Sequence, residues 1–282
     1  DRNAETVNGV VLTPTEKAQR TALVDRINNK GYEQVMEEVA YTWFNRFCAL
    51  RFMEVNNYLP THIRVFTNEE NEFKPQIIDE AIHLELDGLD MQKVYDFKEN
   101  NDNEGLYKYL IITQCNALGK ILPGMFERIS DYTELLFPDN ILREGSVIDR
   151  LITDITEDNF SVDSENGQVE IIGWLYQYYI SEKHEKVISV VGKKVISKQD
   201  IPAATQLFTT DWVVRYLIDN SVGRYWIERN PNSELAEKLE YFVAPKNNEI
   251  EYIDEKITPE ELTVLDPCMG SGHFLVYAFD VL

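Results

Sequence analysis

The chain is poor in cysteine, histidine and positive charge, and each shortage excludes something. Its three cysteines, Cys48, Cys115 and Cys268, are far apart and odd in number, against both a disulfide framework and a Cys-x-x-Cys metal site. The four histidines, His62, His83, His184 and His273, are equally scattered, and none is paired as in His-Glu-x-x-His zinc hydrolases. No metal site is expected. No run approaches the ~18 apolar residues of a membrane span. Asp1-Arg2-Asn3-Ala4-Glu5 lacks the basic start and apolar run of a secretory signal, so a cytoplasmic setting is expected, with no membrane partner. Lysine and arginine number 27 against 49 acidic residues, a net charge of −22. That is the wrong sign for a surface that tracks phosphates, which bounds where DNA would lie without excluding DNA as a substrate. One basic interval, Lys183, Lys186, Lys193, Lys194 and Lys198, reads most simply as a solvated face.

What is present suits a packed core. Over 282 residues, 44% are hydrophobic and 27% charged, with 13 Phe and 15 Tyr, enough for one large domain or two small ones. Thr13-Pro14-Thr15-Glu16 reads as a helix start, with Thr13 as cap and Pro14 in the first turn. Between Tyr32 and Asn57, Val35, Val39, Trp43 and Phe47 recur every fourth residue and predict a long helix with a buried stripe. Arg46, Arg51 and Glu54 on it read as paired or solvated charges. Ile77 to Leu86, Leu106 to Leu118, Met125 to Leu136 and Val147 to Thr156 are further candidate helices. Ile171 to Ile180, aromatic-rich, is ambiguous between buried strand and helix, and its neighbours favour helix. Lys186 to Ile196 suits either a hairpin or a helix pair. Pro138-Asp139 has no Asp/Glu-x-Lys triplet at a reasonable distance behind it, which argues against a nuclease.

The strongest signal lies near the end. Leu262-Thr263-Val264-Leu265 predicts a short strand, followed by Asp266-Pro267-Cys268-Met269-Gly270-Ser271-Gly272-His273-Phe274 and the apolar run Leu275 to Phe279, which predicts a helix. At such strand–turn–helix junctions backbone amides and a helix N-terminus converge on a ligand. Gly270 and Gly272 let a ligand approach the backbone closely, and Asp266 is placed to accept from an ammonium group. Asp-Pro-x-x-Gly-Ser-Gly arises by chance on the order of once in several thousand chains of this length. Leu275 stands where a dinucleotide fingerprint needs its third glycine, and no lysine follows Gly272 as a P-loop requires, which disfavours NAD and ATP.

Asp266-Pro267-x-x-Gly270-Ser271-Gly272-x-Phe274 resembles motif I of amino-methyltransferases that act on adenine in DNA. Gln206-Leu207-Phe208-Thr209-Thr210-Asp211 resembles their motif X, with Thr210 where the family usually has proline and Thr205 where many members have glycine. Motif X ahead of motif I is the gamma-class order. The wider run, from the helix at 33–57 through Gly173-Trp174-Leu175-Tyr176-Gln177-Tyr178-Tyr179 to Phe208-Thr209, is similar to the PglX-type methyltransferases of BREX phage-defence systems. The resemblance implies S-adenosylmethionine as cofactor, double-stranded DNA as substrate, and other BREX or restriction-system proteins as possible partners. It also implies a cofactor site of Phe208, Thr209, Asp266, Pro267, Gly270, Ser271, Gly272 and Phe274. Thr209 or Thr210 would cap a helix from Asp211 with Val214, Leu217 and Ile218 buried and Gly223 as its stop.

The adenine-binding Asn/Asp-Pro-Pro-Tyr/Phe loop of that family is absent; the nearest string, Asn230-Pro231-Asn232, lacks the second proline and the aromatic. No catalytic residue is therefore expected in this chain. The expected organisation is a mainly helical N-terminal domain over 1–200, then over 201–282 the truncated beginning of a Rossmann-like α/β methyltransferase domain, inactive alone and contacting DNA mainly through sequence beyond it. The alternative is an acidic helical module that docks other defence-system subunits.

Overall fold

A computed structural model describes residues 4–7, 9–126, 132–163, 171–189, 196–198, 200–205, 207–247, 249–270 and 272–282. The chain forms two compact units, Asp1–Ile172 and Gly173–Leu282.

In the first unit, β1 (Thr6–Val7) and β2 (Val10–Val11) pair antiparallel, Thr6 opposite Val11, around Gly9 at φ +83. α1 (Pro14–Lys30) starts on the expected cap: the Thr13 hydroxyl accepts from Glu16 N–H while the Glu16 carboxylate accepts from Thr13 N–H, a reciprocal capping box. α2 (Tyr32–Val55) buries Val35, Val39, Trp43 and Phe47, the four residues whose spacing predicts it. α3 (Gln76–Asp79) continues into a 3-10 turn over Glu80–Ile82, then α4 (Met91–Glu99) and α5 (Asn103–Leu118) follow. α5 carries Leu106, Leu110 and Ile111 into the core beside α2's Phe47 and Leu50. Of the helix expected over 125–136, α6 spans only Tyr132–Leu135, and 127–131 lie outside the described residues. α7 (Val147–Thr153) is capped by the Ser146 hydroxyl, and α8 (Glu157–Phe160) closes the unit.

Arg51 and Glu54 resolve as structural residues. Both side chains are fully buried and paired at 2.7 Å. Glu54 Oε2 also accepts from the Val65 and Phe66 N–H groups, each at 2.8 Å, and Arg51 donates to Asn71 Oδ1 at 2.6 Å. The pair therefore satisfies the backbone of a loop that has no ladder of its own.

The second unit begins within α9 (Ile171–Tyr179), so the ambiguous aromatic segment is helical. α10 (Ser181–Ile188) settles the first part of the next segment as helix; 190–195, with Lys193 and Lys194, lie outside the described residues. α11 (Ile201–Thr205) packs on α10, where His184 Nδ1 lies 2.7 Å from the Ala203 carbonyl. The division thus falls ahead of residue 200, and residues from 173 onward belong to the same unit as the glycine turn.

α12 (Asp211–Ile218) buries Val214 and Ile218, whereas Leu217, expected inside, is exposed. Gly223, expected as a stop, lies instead in a π-helical turn over Asp219–Gly223 that runs directly into α13 (Arg224–Arg229). Its φ of −58 is ordinary helical backbone, and a Cβ there would come within 2.6 Å of Leu239, so close packing accounts for the glycine. α14 (Leu235–Lys238) and α15 (His273–Val281) complete the unit, whose core joins Val214, Ile218, Ile227, Leu239, Ala278 and Val281.

The strand expected at Leu262–Leu265 does not form. Leu262 is extended and succeeds a 3-10 turn over Pro259–Glu261, but the segment pairs with no other strand, and Leu265 is 84% exposed. A strand is defined by its neighbours, and none is present among the described residues; the only sheet there is β1 with β2. Among the described residues no helix is long and apolar enough to cross a membrane.

Candidate functional site

Asp266 opens the turn. Its Oδ1 accepts from the Cys268 N–H at 2.9 Å, an Asx-type turn that orients the carboxylate. Its Oδ2 is buried and has no hydrogen-bond partner among the described residues. A buried carboxylate oxygen left without a donor costs free energy.

Gly270 (φ +55) and Gly272 (φ +83) both occupy the left-handed region, where any other side chain except Asn or Asp is strained. The space a Cβ would take at Gly272 is empty. Gly272 N–H donates to the Met269 carbonyl at 2.7 Å, closing the turn, and Gly272 itself caps α15, whose free N–H groups give the helix start a partial positive charge. Phe274 packs into the core of the unit, and Pro267 is exposed. Ser271 lies outside the described residues. The exposed Cys268 is a free thiol, as are the buried Cys48 and Cys115, which desolvation pushes up to about 12.

The structure brings the Phe208 segment to this turn. The Phe208 ring stacks on His273, centroids 5.2 Å apart at 12°. Thr209 is half-buried, and Thr210 sits at the N-cap of α12 in extended conformation without a side-chain capping bond. Asp211 lies 3.7 Å from His273 Nε2 and pairs with Arg215 at 2.6 Å. The Arg215 guanidinium lies over the Tyr277 ring at 5.0 Å, and Tyr277 donates to the fully buried Asp219 at 2.9 Å. Burial, and then the bond to Asp219, push the Tyr277 phenol up to about 12.

Phe208 and the glycine turn are named from the sequence, whereas Asp211, Asp219, His273 and Tyr277 are not named there as site residues. His273 and Tyr277 sit one turn apart on α15, a spacing visible in the sequence, but their partners Phe208, Asp211 and Asp219 come from the segment before α12, from α12 and from the π-helical turn after it, which have no spacing relation to α15. Among the described residues no group of three or more His, Cys, Asp or Glu side chains is placed to hold a metal ion.

No family model matches the chain. It is 42% identical over 274 residues to the adenine-specific methyltransferase BrxX of Escherichia coli O9:H4 (strain HS), a match covering 94% of this chain and 22% of that protein. It is also 42% identical, over an alignment of 303 positions, to the adenine-specific methyltransferase PglX of Lacticaseibacillus casei (strain Zhang), covering 97% of this chain and 25% of that protein. The chain therefore spans about a quarter of the length of these curated relatives. Both alignments run through nearly all of the chain at this identity, so it is similar along its length to one portion of the adenine-specific methyltransferases named BrxX and PglX.

Proposed function

We propose that the unit Gly173–Leu282 holds S-adenosylmethionine for methylation of the exocyclic amino group of adenine in double-stranded DNA, as part of a phage-defence or restriction-modification system. The observation that carries this reading is the buried Asp266 Oδ2, without a partner among the described residues, beside a glycine turn that opens a helix. S-adenosylmethionine, when bound, supplies an electrophilic methyl group on a sulfonium. Its amino-acid end carries an ammonium group that fits the free acceptor on Asp266. Gly270 and Gly272 keep Cβ atoms out of the approach, Phe274 anchors the helix, and Phe208 and Thr209 stand at the methionine side. Pro267 and Ser271 enter by resemblance alone.

In this reading Leu262–Leu265 enters a Rossmann-like sheet whose other strands lie in the further length that the relatives possess. No loop for the target adenine occurs in these 282 residues, so the chain by itself holds part of a cofactor site and transfers nothing. The acidic balance of −22 supports DNA contact mainly through that further length, and other BREX or restriction-system proteins are the further partners of this reading.

Calorimetric titration of S-adenosylmethionine into the full-length protein tests the reading. Binding that falls at least about tenfold in Asp266→Ala supports it, since a hydrogen bond to a charged group contributes ~1.5–3 kcal/mol. No binding to a folded full-length protein would leave the acidic interaction module as the better account.

A further inference from the structure

Phe208 is held from several sides, and one of its supports lies outside both the Phe-Thr segment and the glycine turn. While His273 covers a face of the ring, Trp174 of α9 meets it at 64° with centroids 5.3 Å apart. Gly173 lies against the same ring: a Cβ there would stand 2.1, 2.2 and 2.6 Å from Phe208 Cε2, Cδ2 and Cζ. One turn further along α9, Gln177 Oε1 accepts the Phe208 backbone N–H at 2.9 Å.

We propose that α9 is a third element of the cofactor site, with Gly173 and Gln177 as the positioning residues that set Phe208. The proposal rests on the cofactor reading above. Residues four apart share one helix face, so Gly173 and Gln177 meet the same neighbour: one leaves room for its ring, the other fixes its backbone. Helix propensity alone favours alanine at 173, because glycine inside a helix costs ~0.5–1 kcal/mol. What glycine provides here is the space that the ring fills. The ring cannot yield to a Cβ by a small rotation, since His273 and Trp174 already bound it. An alanine therefore either displaces α9 or tips the aromatic wall of the site, although the substitution touches neither motif.

The test is a double-mutant cycle on the full-length protein, read as S-adenosylmethionine affinity by calorimetry with the unfolding midpoint as control. Gly173→Ala and Phe208→Leu each weaken binding, the former about tenfold, and the double variant binds no more weakly than Phe208→Leu alone, because the clash disappears with the ring. Losses that add, or an unchanged affinity in Gly173→Ala while the wild type binds, overturn the proposal. A wild type that does not bind overturns the cofactor reading beneath it. If Gly173→Ala fails to fold, Gln177→Leu carries the test: binding falls about tenfold and returns in Gln177→Glu, which keeps an oxygen for the Phe208 N–H. Equal affinity in wild type, Gln177→Leu and Gln177→Glu also overturns it.

Discussion

Tyr277 donates its hydroxyl to Asp219 across 2.9 Å, and this bond ties α15 to the π-helical turn at the end of α12. Asp219 is completely buried and accepts a second bond from the Tyr241 N–H at 3.0 Å, so its carboxylate is the shared anchor of three chain segments. An inserted π turn places this side chain out of step with the α-helix before it, which gives the turn a structural reason to exist.

The same bond makes an alkaline prediction. The Tyr277 phenol rises from its ordinary 10.0 to about 12 in the folded protein, so the folded state holds this proton more tightly than the unfolded state. Its contribution to stability is fully present below pH 10 and is lost as pH rises towards about 12. Ultraviolet titration of the wild type minus Tyr277→Phe should isolate one phenol titrating near the top of that range, and the variant should lose ~1–3 kcal/mol at neutral pH in urea unfolding. A difference curve centred at 10.0 would remove the Asp219 bond from the account.

The buried Arg51–Glu54 pair predicts an asymmetry between variants. Removing one partner of a buried ion pair costs ~3–5 kcal/mol, and replacing both by apolar residues is often neutral. Here Glu54 also serves the Val65 and Phe66 N–H groups, which an apolar residue leaves orphaned. Arg51→Met should therefore be strongly destabilising, and Arg51→Met/Glu54→Leu should fail to recover it. Recovery of the double variant to wild-type stability in urea would show that the loop finds other acceptors.

At the other end of the first unit, Glu16 is held below its ordinary 4.5, first by the bond from the Thr13 backbone and next by the Thr13 hydroxyl. Its contribution is present above 4.5 and disappears as pH falls through the lowered folded value. Thr13→Ala should cost ~1 kcal/mol, the usual loss of a helix cap, and should move the Glu16 titration seen by NMR back towards 4.5.

Whether a feature is legible in the sequence depends on whether it is local. The α2 stripe of Val35, Val39, Trp43 and Phe47 and the Thr13 cap are readable because each repeats or closes within a few residues. The glycine turn is readable because positive φ demands a particular residue type at Gly270 and Gly272. Gly223 misleads for the converse reason: the signal for a helix stop is identical to that for a glycine kept small by Leu239. Leu217 misleads because the face that α12 buries is set by α15, not by α12's own period. Gly173 carries no signal of its own, since the ring it accommodates arrives from a different segment.

The glycine turn makes its own prediction, independent of any ligand. Gly272 has φ +83 with open space where a side chain would go, so a substitution there meets backbone strain and no collision. Asn, which tolerates this region, should be accepted at a cost of under ~1 kcal/mol, and the β-branched Val should cost ~1–2 kcal/mol or more. Equal stability of Gly272→Asn and Gly272→Val in urea unfolding would show that the turn adopts another conformation.

The exposed apolar side chains around the turn bear on the proposed sheet. Leu265 is 84% and Phe279 83% exposed, and Val276, on the same helix as Phe279, is 62% exposed. Large apolar side chains left this exposed are candidates for cover by further chain. If further chain covers them as a sheet and its neighbours, two substitutions should act in opposite directions in two contexts. Leu265→Lys/Phe279→Lys should reduce self-association of the 282-residue chain, read by analytical ultracentrifugation. In the full-length protein the same pair should lower the unfolding midpoint, because each change then places an unpaired ammonium in a core. An unchanged midpoint in the full-length protein would mean that these side chains stay in water there too, and that Leu262–Leu265 is not a strand of a covered sheet.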